Sequence, residues 1–318
     1  MSEQSLCLIA DIGGTNARFA LVGPDGAHGE AVLTCADHPS LQDAARAYLA
    51  GRGLTALVKR AAFAVASPVT GDVVRMTNLP WEFSIATVRA ELGLDRLDVI
   101  NDFTAVALAV PELAMGDRVQ IGRGDALADA PIAVLGAGSG LGVSALVRSG
   151  GGWTALATEG GHVTMPAVDD REVAVLAVLR RHWPHVSAER LLSGPGIVNL
   201  HEALATIDGR PSPALTAAEI STRALDGSDP ACGETLGLFC AMLGTVAGNL
   251  ALSIGARGGV FVAGGIAPKI LPFLQDSRFR DRFEAKGRMS AFLGPIPTYV
   301  VVHPYPAFLG LQAQLKAA

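Results

Sequence analysis

Chemistry in this sequence is confined to a few short polar stretches set between apolar ones. In "IADIGGTNARFALV" (9–22), Asp11, Gly13, Gly14, Thr15 and Asn16 separate two apolar runs. In "PIAVLGAGSGLGVSALV" (131–147), Gly138, Ser139 and Gly140 do the same. Glycines permit positive φ and close backbone approach, so successive N–H groups in such a turn converge on one anion. Thr15 and Ser139 each add a hydroxyl donor. One turn of this kind is an ordinary hairpin. Two turns facing one another across a cleft would hold a polyphosphate from both sides. Asp11 beside such a turn makes sense facing a metal ion on the phosphates, magnesium held through water being the natural one.

A second group of residues offers acid, base and hydroxyl recognition. Asp102, in "LDVINDF" (97–103), stands at a strand end just before a helical pattern. Spacing leaves two readings open there: a carboxylate projecting as a general base, or an N-cap for a helix beginning near Thr104. Asn101 beside it carries both a donor and an acceptor, suited to fixing a hydroxyl. Glu159 and His162 frame two glycines in "EGGHV", and Glu189 lies in "SAERLL". Alone, such residues read as solvated or structural, but the paired glycines suggest backbone packed against a ligand or another segment. "GGIAP" (264–268) reads as a strand-to-helix turn after the apolar "VFVA".

The elements that must position these residues alternate between strand and helix. Residues 6–22 predict a hairpin; 60–69, 97–103, 131–147 and 260–263 predict further strands. Helical patterns occupy 40–50, 170–182, 196–207 and 234–254. The mixture predicts an α/β protein with some antiparallel strands. A Gly/Asp-rich stretch near 116–130 suggests a boundary between two lobes. The charge cluster "RFRDRFEAKGR" (278–288) reads as a solvated helix face.

Composition excludes several classes. Of 318 residues, 50% are hydrophobic and 17% charged, which predicts a compact fold with a large core. A net charge of -5 provides no broad basic surface, so nucleic acid is not an expected partner. Four cysteines without a CxxC pair suit free thiols in a reducing cytoplasm. The polar start "MSEQS" lacks the pattern of a signal peptide. Residues 235–256 carry no charge and are long enough to span a bilayer, yet Thr245, Asn249, Ser253 and several glycines favour a core helix, so no membrane partner is expected. No GxxxxGK[ST], HExxH or GxSxG occurs. "GAGSGLG" fails as a dinucleotide fingerprint, because Leu141 takes the last glycine position and a strand follows.

Taken together, "DIGGTNARFAL", "INDFTAVALAV", "GAGSGLGVSAL", "EGGHV", "SAERLLSGPGIVNL" and "VFVAGGIAPK" resemble the bacterial glucokinase family. The matching segments run in order from residue 8 to about residue 310. The Cys-rich zinc motif of the related ROK sugar kinases is missing, so the resemblance is to the zinc-free branch. It implies a two-lobed actin-like (ribonuclease H-like) ATPase fold with a cleft, a smaller α/β lobe from 1–112 plus 303–318 and a larger one from 113–302. It also implies ATP-dependent phosphorylation of D-glucose at the 6-hydroxyl, with Mg2+, in a cytoplasmic homodimer. By the same resemblance Asp102 is the general base, and Asn101, Glu159, His162, Glu189, Ser139 and Gly140 bind the sugar. Ala10, Asp11, Ile12, Gly13, Gly14, Thr15, Gly138, Gly264 and Gly265 line the nucleotide, with Asp11 attending the metal. Alternatives are a kinase of the same fold for another hexose or phosphoryl donor, and a sugar-sensing regulator derived from a kinase.

Overall fold

The computed structural model describes residues 6–55 and 57–317. They form two compact units, one ending at Ala114 and resuming at His303, the other spanning Met115–Val302.

The first unit is built on strands β1 (Cys7–Ile12), β2 (Asn16–Gly23), β3 (Gly26–Thr34) and β4 (Arg60–Val65). A small hairpin of β5 (Val73–Arg75) and β6 (Glu82–Ser84) follows, then β7 (Arg96–Asn101). The main sheet runs β3-β2-β1-β4-β7, antiparallel through β3-β2-β1 and parallel from β1 to β4 and β7. β1 and β4 are near-continuous apolar runs, as expected of central strands covered on both faces. Helices α1 (Leu41–Ala50), α2 (Ile85–Glu91) and α3 (Asp102–Ala109) accompany it, joined by a C-terminal helix at Pro306–Lys316. That last helix packs on α3 through small residues. A Cβ on Gly310 would overlap the Ala105 carbonyl and lie 3.1 Å from the Ala109 nitrogen. Arg60 of β4 then holds the end of the C-terminal helix by donating to the Leu315 carbonyl at 2.7 Å.

The second unit repeats the plan. Strands β8 (Arg118–Ile121), β9 (Ile132–Ala137), β10 (Leu141–Ser149), β11 (Gly152–Ala157), β12 (Val260–Ala263) and β13 (Thr298–Val301) are ordered β11-β10-β9-β12-β13-β8. Three antiparallel strands, β11-β10-β9, again lead into two parallel ones, β12 and β13. β8 lies within the Gly/Asp-rich stretch expected to be boundary alone; it pairs antiparallel with β13 and closes that edge. The helices are α4 (Asp170–Leu179), α5 (Gly194–Asp208), α6 (Ala217–Leu225), α7 (Pro230–Ile254), α8 (Leu271–Asp276) and α9 (Phe279–Glu284).

Among the described residues α7 is the one helix long and apolar enough to cross a membrane, and 61% of its most apolar window is buried inside the protein. Its threonines explain how polar residues enter a core. Thr235 and Thr245 donate to the carbonyls of Ala231 and Ala241, one turn back. α7 packs against α9, whose charged sequence is not a solvated face. Phe279, Arg282 and Phe283 recur at helical spacing and are buried, and Arg282 meets the buried Glu172 of α4 at 2.7 Å. Arg280 is tied to the carbonyls of Gly294 and Ile296, each at 2.8 Å.

The Gly310 contact generates a test. Gly310→Ala must push the C-terminal helix off α3, and overpacking of this kind costs about 1–3 kcal/mol. Because α3 begins with Asp102, turnover should fall along with the urea midpoint. Gly233→Ala, on α7 where a Cβ meets nothing within 4 Å, should leave both unchanged or raise the midpoint slightly. Equal midpoints for the two variants would show that the close approach carries no load.

Candidate active site

In the first unit the parallel strand β7 ends at Asn101 and α3 starts at Asp102. Asn101 is the N-cap: its Oδ1 accepts the N–H groups of Phe103 (2.9 Å) and Thr104 (3.2 Å). The capping alternative considered for Asp102 thus falls to its neighbour. The Asn101 amide donates to Asp102 Oδ1 at 3.0 Å and to the Ser67 carbonyl at 3.4 Å. Its acceptor and its donors are therefore engaged within the protein. Asn101, expected to bind the sugar, is in this structure also the residue that positions Asp102.

Asp102 Oδ1 also accepts the Phe103 N–H at 2.8 Å, which leaves Oδ2 without a hydrogen bond to a described residue. Burial pushes the Asp102 carboxyl up to about 6, and the Asp11 carboxylate adds to the rise; the hydrogen bonds from Phe103 and Asn101 oppose it. A half-buried carboxylate with one free oxygen and a pKa near neutrality has the properties of a general base.

Asp11 sits on β1 opposite Arg18 of β2, whose guanidinium donates to Asp11 Oδ2 at 3.1 Å. Burial raises the Asp11 carboxyl and Arg18 opposes the rise. The adjoining turn is tight: Gly13 N–H donates to the Asn16 carbonyl at 3.0 Å, and the Thr15 carbonyl accepts Cys35 N–H at 2.8 Å. The N–H groups of Gly14 and Thr15 find no acceptor among the described residues, so they are the donors an anion would meet. Ala10 and Ile12, expected beside the nucleotide, flank Asp11 on β1. Both are wholly buried, with their backbones in the ladders to β2 and β4.

In the second unit the turn between β9 and β10 has the same character. Gly138 N–H bonds the Gly140 carbonyl and the Gly138 carbonyl accepts Gly194 N–H, both at 2.8 Å, while the Ser139 and Gly140 N–H groups find no acceptor among the described residues. Of the two reasons expected for the glycines, close approach applies and positive φ does not. Gly13, Gly14, Gly138 and Gly140 all lack positive φ. A Cβ on Gly140 would sit 2.5 Å from Glu189 Oε2, and one on Gly14 would sit 2.9 Å from Asn78 Cβ. Gly138 and Gly265 instead face open space, with no atom within 4 Å of where a Cβ would stand, and so leave room for a ligand against the main chain. Gly264 does require its conformation, with φ +83°, and it packs on the Ala137 carbonyl, setting the "GGIAP" turn directly behind the Gly138 turn.

Glu189, Glu159 and His162 are brought together. Glu189 Oε2 accepts Leu141 N–H at 2.9 Å. Glu189 Oε1 lies 4.0 Å from His162 Nδ1, and Glu159 Oε2 lies 3.9 Å from His162 Nε2. The "EGGH" glycines allow this by packing against a chain segment: Gly161 presses on the Leu141 carbonyl and Gly160 on the Val143 side chain. His185 Nε2 to the His162 carbonyl, 3.0 Å, fixes the loop from the other side. Two carboxylates and an imidazole within reach of one another, all at least partly exposed, make a set of acceptors and donors for adjacent hydroxyls.

Some residues at these sites lie outside the expected set. Arg18 was detectable as a charge facing Asp11 across a predicted hairpin. Ser67, Thr77 and Asn78 connect the Gly14 turn to Asn101, and their only sequence signal is a pair of polar residues ahead of Trp81 in "MTNLPW". A dedicated metal cage is not part of the plan: among the described residues no group of three or more metal-ligating side chains occurs.

Comparison with known proteins identifies the family and the fold. The sequence model of the glucokinase family matches residues 8–318. A glucokinase from Paramagnetospirillum magneticum is 54% identical over 308 residues, covering 96% of each chain. The crystal structure of a glucokinase from an Antarctic psychrotroph superposes with a TM-score of 0.88 at 40% identity, covering 99% of each chain. More distant structures share the fold. A Balamuthia mandrillaris glucokinase in complex with glucose has a TM-score of 0.83 at 20% identity, covering 100% of this chain and 96% of its own. A ROK family glucokinase from Streptomyces griseus in complex with glucose and AMPPNP has a TM-score of 0.67 at 18% identity, covering 98% of each. A family match over nearly the whole chain, joined to a relative at 54% identity, places this protein in the glucokinase family.

Proposed function

We infer that the chain transfers the γ-phosphoryl group of ATP to the 6-hydroxyl of D-glucose, giving glucose 6-phosphate and ADP. The observation that carries this reading is Asp102: a half-buried carboxylate at a helix start, oriented by Asn101, with Oδ2 free and a pKa near 6. Oδ2 takes the proton of the attacking hydroxyl as its oxygen bonds to phosphorus and the bond to ADP breaks. The free N–H groups of Gly14 and Thr15 in the first unit, and of Ser139 and Gly140 in the second, are suited to the negative charge of the phosphates. Glu159, His162 and Glu189 are suited to the sugar hydroxyls, where a mispaired buried acceptor discriminates strongly between sugars.

The donor set fits magnesium in its phosphate-bound form, which takes one or two carboxylates and keeps several waters. Asp11 is the carboxylate, with Oδ2 on Arg18 and Oδ1 left over. Bound there through water, the ion would neutralise charge on the phosphates. We place the reaction in the cytoplasm, in keeping with four buried free thiols, and take a homodimer as the assembly.

ADP release measured across a panel of hexoses with Mg-ATP tests the reading directly. Glucose should be the preferred acceptor; turnover on another hexose alone, or with polyphosphate alone, would replace it. The Asp102 environment fixes a pH dependence as well. Since the ionised form is the base, kcat/KM should fall about tenfold per pH unit below about 6. The sign for stability is opposite. A folded-state pKa raised above the unfolded value means that ionising Asp102 destabilises the protein as pH rises through about 6. Asp102→Asn should therefore abolish nearly all turnover, keep sugar binding, and raise stability at pH 8 by about 1–3 kcal/mol, a gain that vanishes below about pH 4. Unchanged turnover in this variant would remove Asp102 as the base. Gly140→Ala should displace Glu189 from Leu141 N–H and raise the KM for glucose about tenfold, the equivalent of one charge-assisted hydrogen bond. An unchanged KM would separate that turn from sugar recognition.

A further inference from the structure

Between β4 and α2 the chain makes an excursion, 66–84, that touches both working parts of the first unit. Ala66 N–H donates to the Ile12 carbonyl at 3.0 Å, at the mouth of the Gly13–Gly14 turn. Ser67, buried, accepts the Thr77 N–H on its Oγ at 2.8 Å, and the two hydroxyls lie 3.1 Å apart. The Ser67 carbonyl accepts the Asn101 amide that also holds Asp102. The following turn is closed by Met76 N–H to the Trp81 carbonyl at 3.0 Å. Trp81 anchors it, its ring buried and its indole N–H donating to the His38 carbonyl at 3.2 Å. On this anchored turn stands Asn78. Its Cβ is so close to Gly14 that a side chain at Gly14 could not be accommodated without a shift. Its carboxamide is exposed and has no hydrogen-bond partner among the described residues.

An amide with unused donors on an anchored turn, beside the free N–H groups of Gly14 and Thr15, has no structural bond of its own to explain it. We propose that the Asn78 side-chain N–H donates a hydrogen bond to the terminal phosphoryl group of the nucleotide during transfer. This assignment rests on the phosphotransfer reading above and extends it to a residue outside the glycine turns. A neutral donor suits the position, because charge on the phosphoryl oxygens is redistributed during transfer and a fixed dipole stabilises it without reorganising. The chain of bonds from Thr77 through Ser67 to Asn101 ties this donor to the base, so the two hold a constant separation.

Asparagine also favours turns, so the test pairs a variant that removes the amide with one that keeps the turn preference and changes the hydrogen bonding. Asn78→Ala removes the donor; Asn78→Asp keeps size and turn preference but sets a negative oxygen against the phosphoryl group. Both are assayed with Mg-ATP and glucose beside the wild type, with thermal unfolding and calorimetric glucose binding measured on each. The expected result is a fall in kcat of about 10²-fold for Asn78→Ala and at least as much for Asn78→Asp, the size of effect seen when one oriented transition-state donor is removed. Glucose affinity and the unfolding midpoint should hardly move. If both variants keep kcat within about threefold of a competent wild type, or if the loss falls on glucose affinity instead, the assignment fails while the kinase reading stands. A wild type that forms no ADP with glucose overturns both.

Discussion

The structure depends on a carboxylate being held where water solvates it poorly. Asp102 is the first residue of α3, and helix starts ordinarily draw acids into capping, which commits the carboxylate to the helix N–H groups. Here Asn101 takes the cap, and its amide fixes Asp102 through one oxygen only. The other oxygen stays available, and burial together with Asp11 keeps it basic. Burial raises the neighbouring Asp11 carboxyl as well, and Arg18, 3.1 Å away, opposes that rise. The arrangement destabilises the folded chain near neutral pH, and the surrounding core has to offset it. β1 and β4, nearly all fully buried, and the C-terminal helix locked on α3 by Gly310, provide that rigidity.

Both units use one topological device, a hairpin followed by a parallel strand, and both put a glycine turn at the hairpin tip. The turns are not loose phosphate loops in search of unusual dihedrals. One glycine in each is present because something else occupies the space of a Cβ: Asn78 at Gly14 and Glu189 at Gly140. A protein neighbour packed that close fixes the turn before any ligand arrives. The remaining N–H groups are then oriented in advance, which is the condition under which they contribute most.

Much of this was legible in the sequence, and the exceptions have physical causes. The hairpins at 6–22 and 131–147 are plain because apolar runs, glycines and small polar residues alternate over short distances. The buried character of α7 could be read from its threonines and glycines. Spacing left capping open for Asp102, since Asn and Asp cap about equally well, and only the hydrogen bonds give the cap to Asn101. The cluster at 278–288 was misread because its charges dominate the composition, whereas Phe279, Arg282 and Phe283 share one face. Ala10 and Ile12, named through the family resemblance, have side chains that strand alternation and pairing on both sides commit to the core. The 66–84 excursion escaped because serine, threonine and asparagine near prolines resemble any surface turn. Its importance lies in contacts more than thirty residues away at Asn101 and more than sixty away at Gly14.

Glu189 joins the group proposed for the sugar to the Gly138–Gly140 turn within one unit. One of its oxygens receives Leu141 N–H, just past the Gly138–Gly140 turn, and the other faces His162. A carboxylate that merely bound a hydroxyl could sit anywhere on an exposed loop. This one is seated against a glycine, on a short helical turn following the buried Ala188, with Ser193 capping the next helix immediately beyond. The bond to Leu141 removes rotamer freedom that a hexose would otherwise have to freeze on binding, and side-chain ordering of that kind costs about 0.5–1.5 kcal/mol for each residue immobilised. It also means that any ligand drawing Glu189 away pulls on the main chain of the phosphate turn. The oxygen facing His162 therefore suits sugar recognition, and the oxygen on Leu141 sets the shape of the turn that accompanies it.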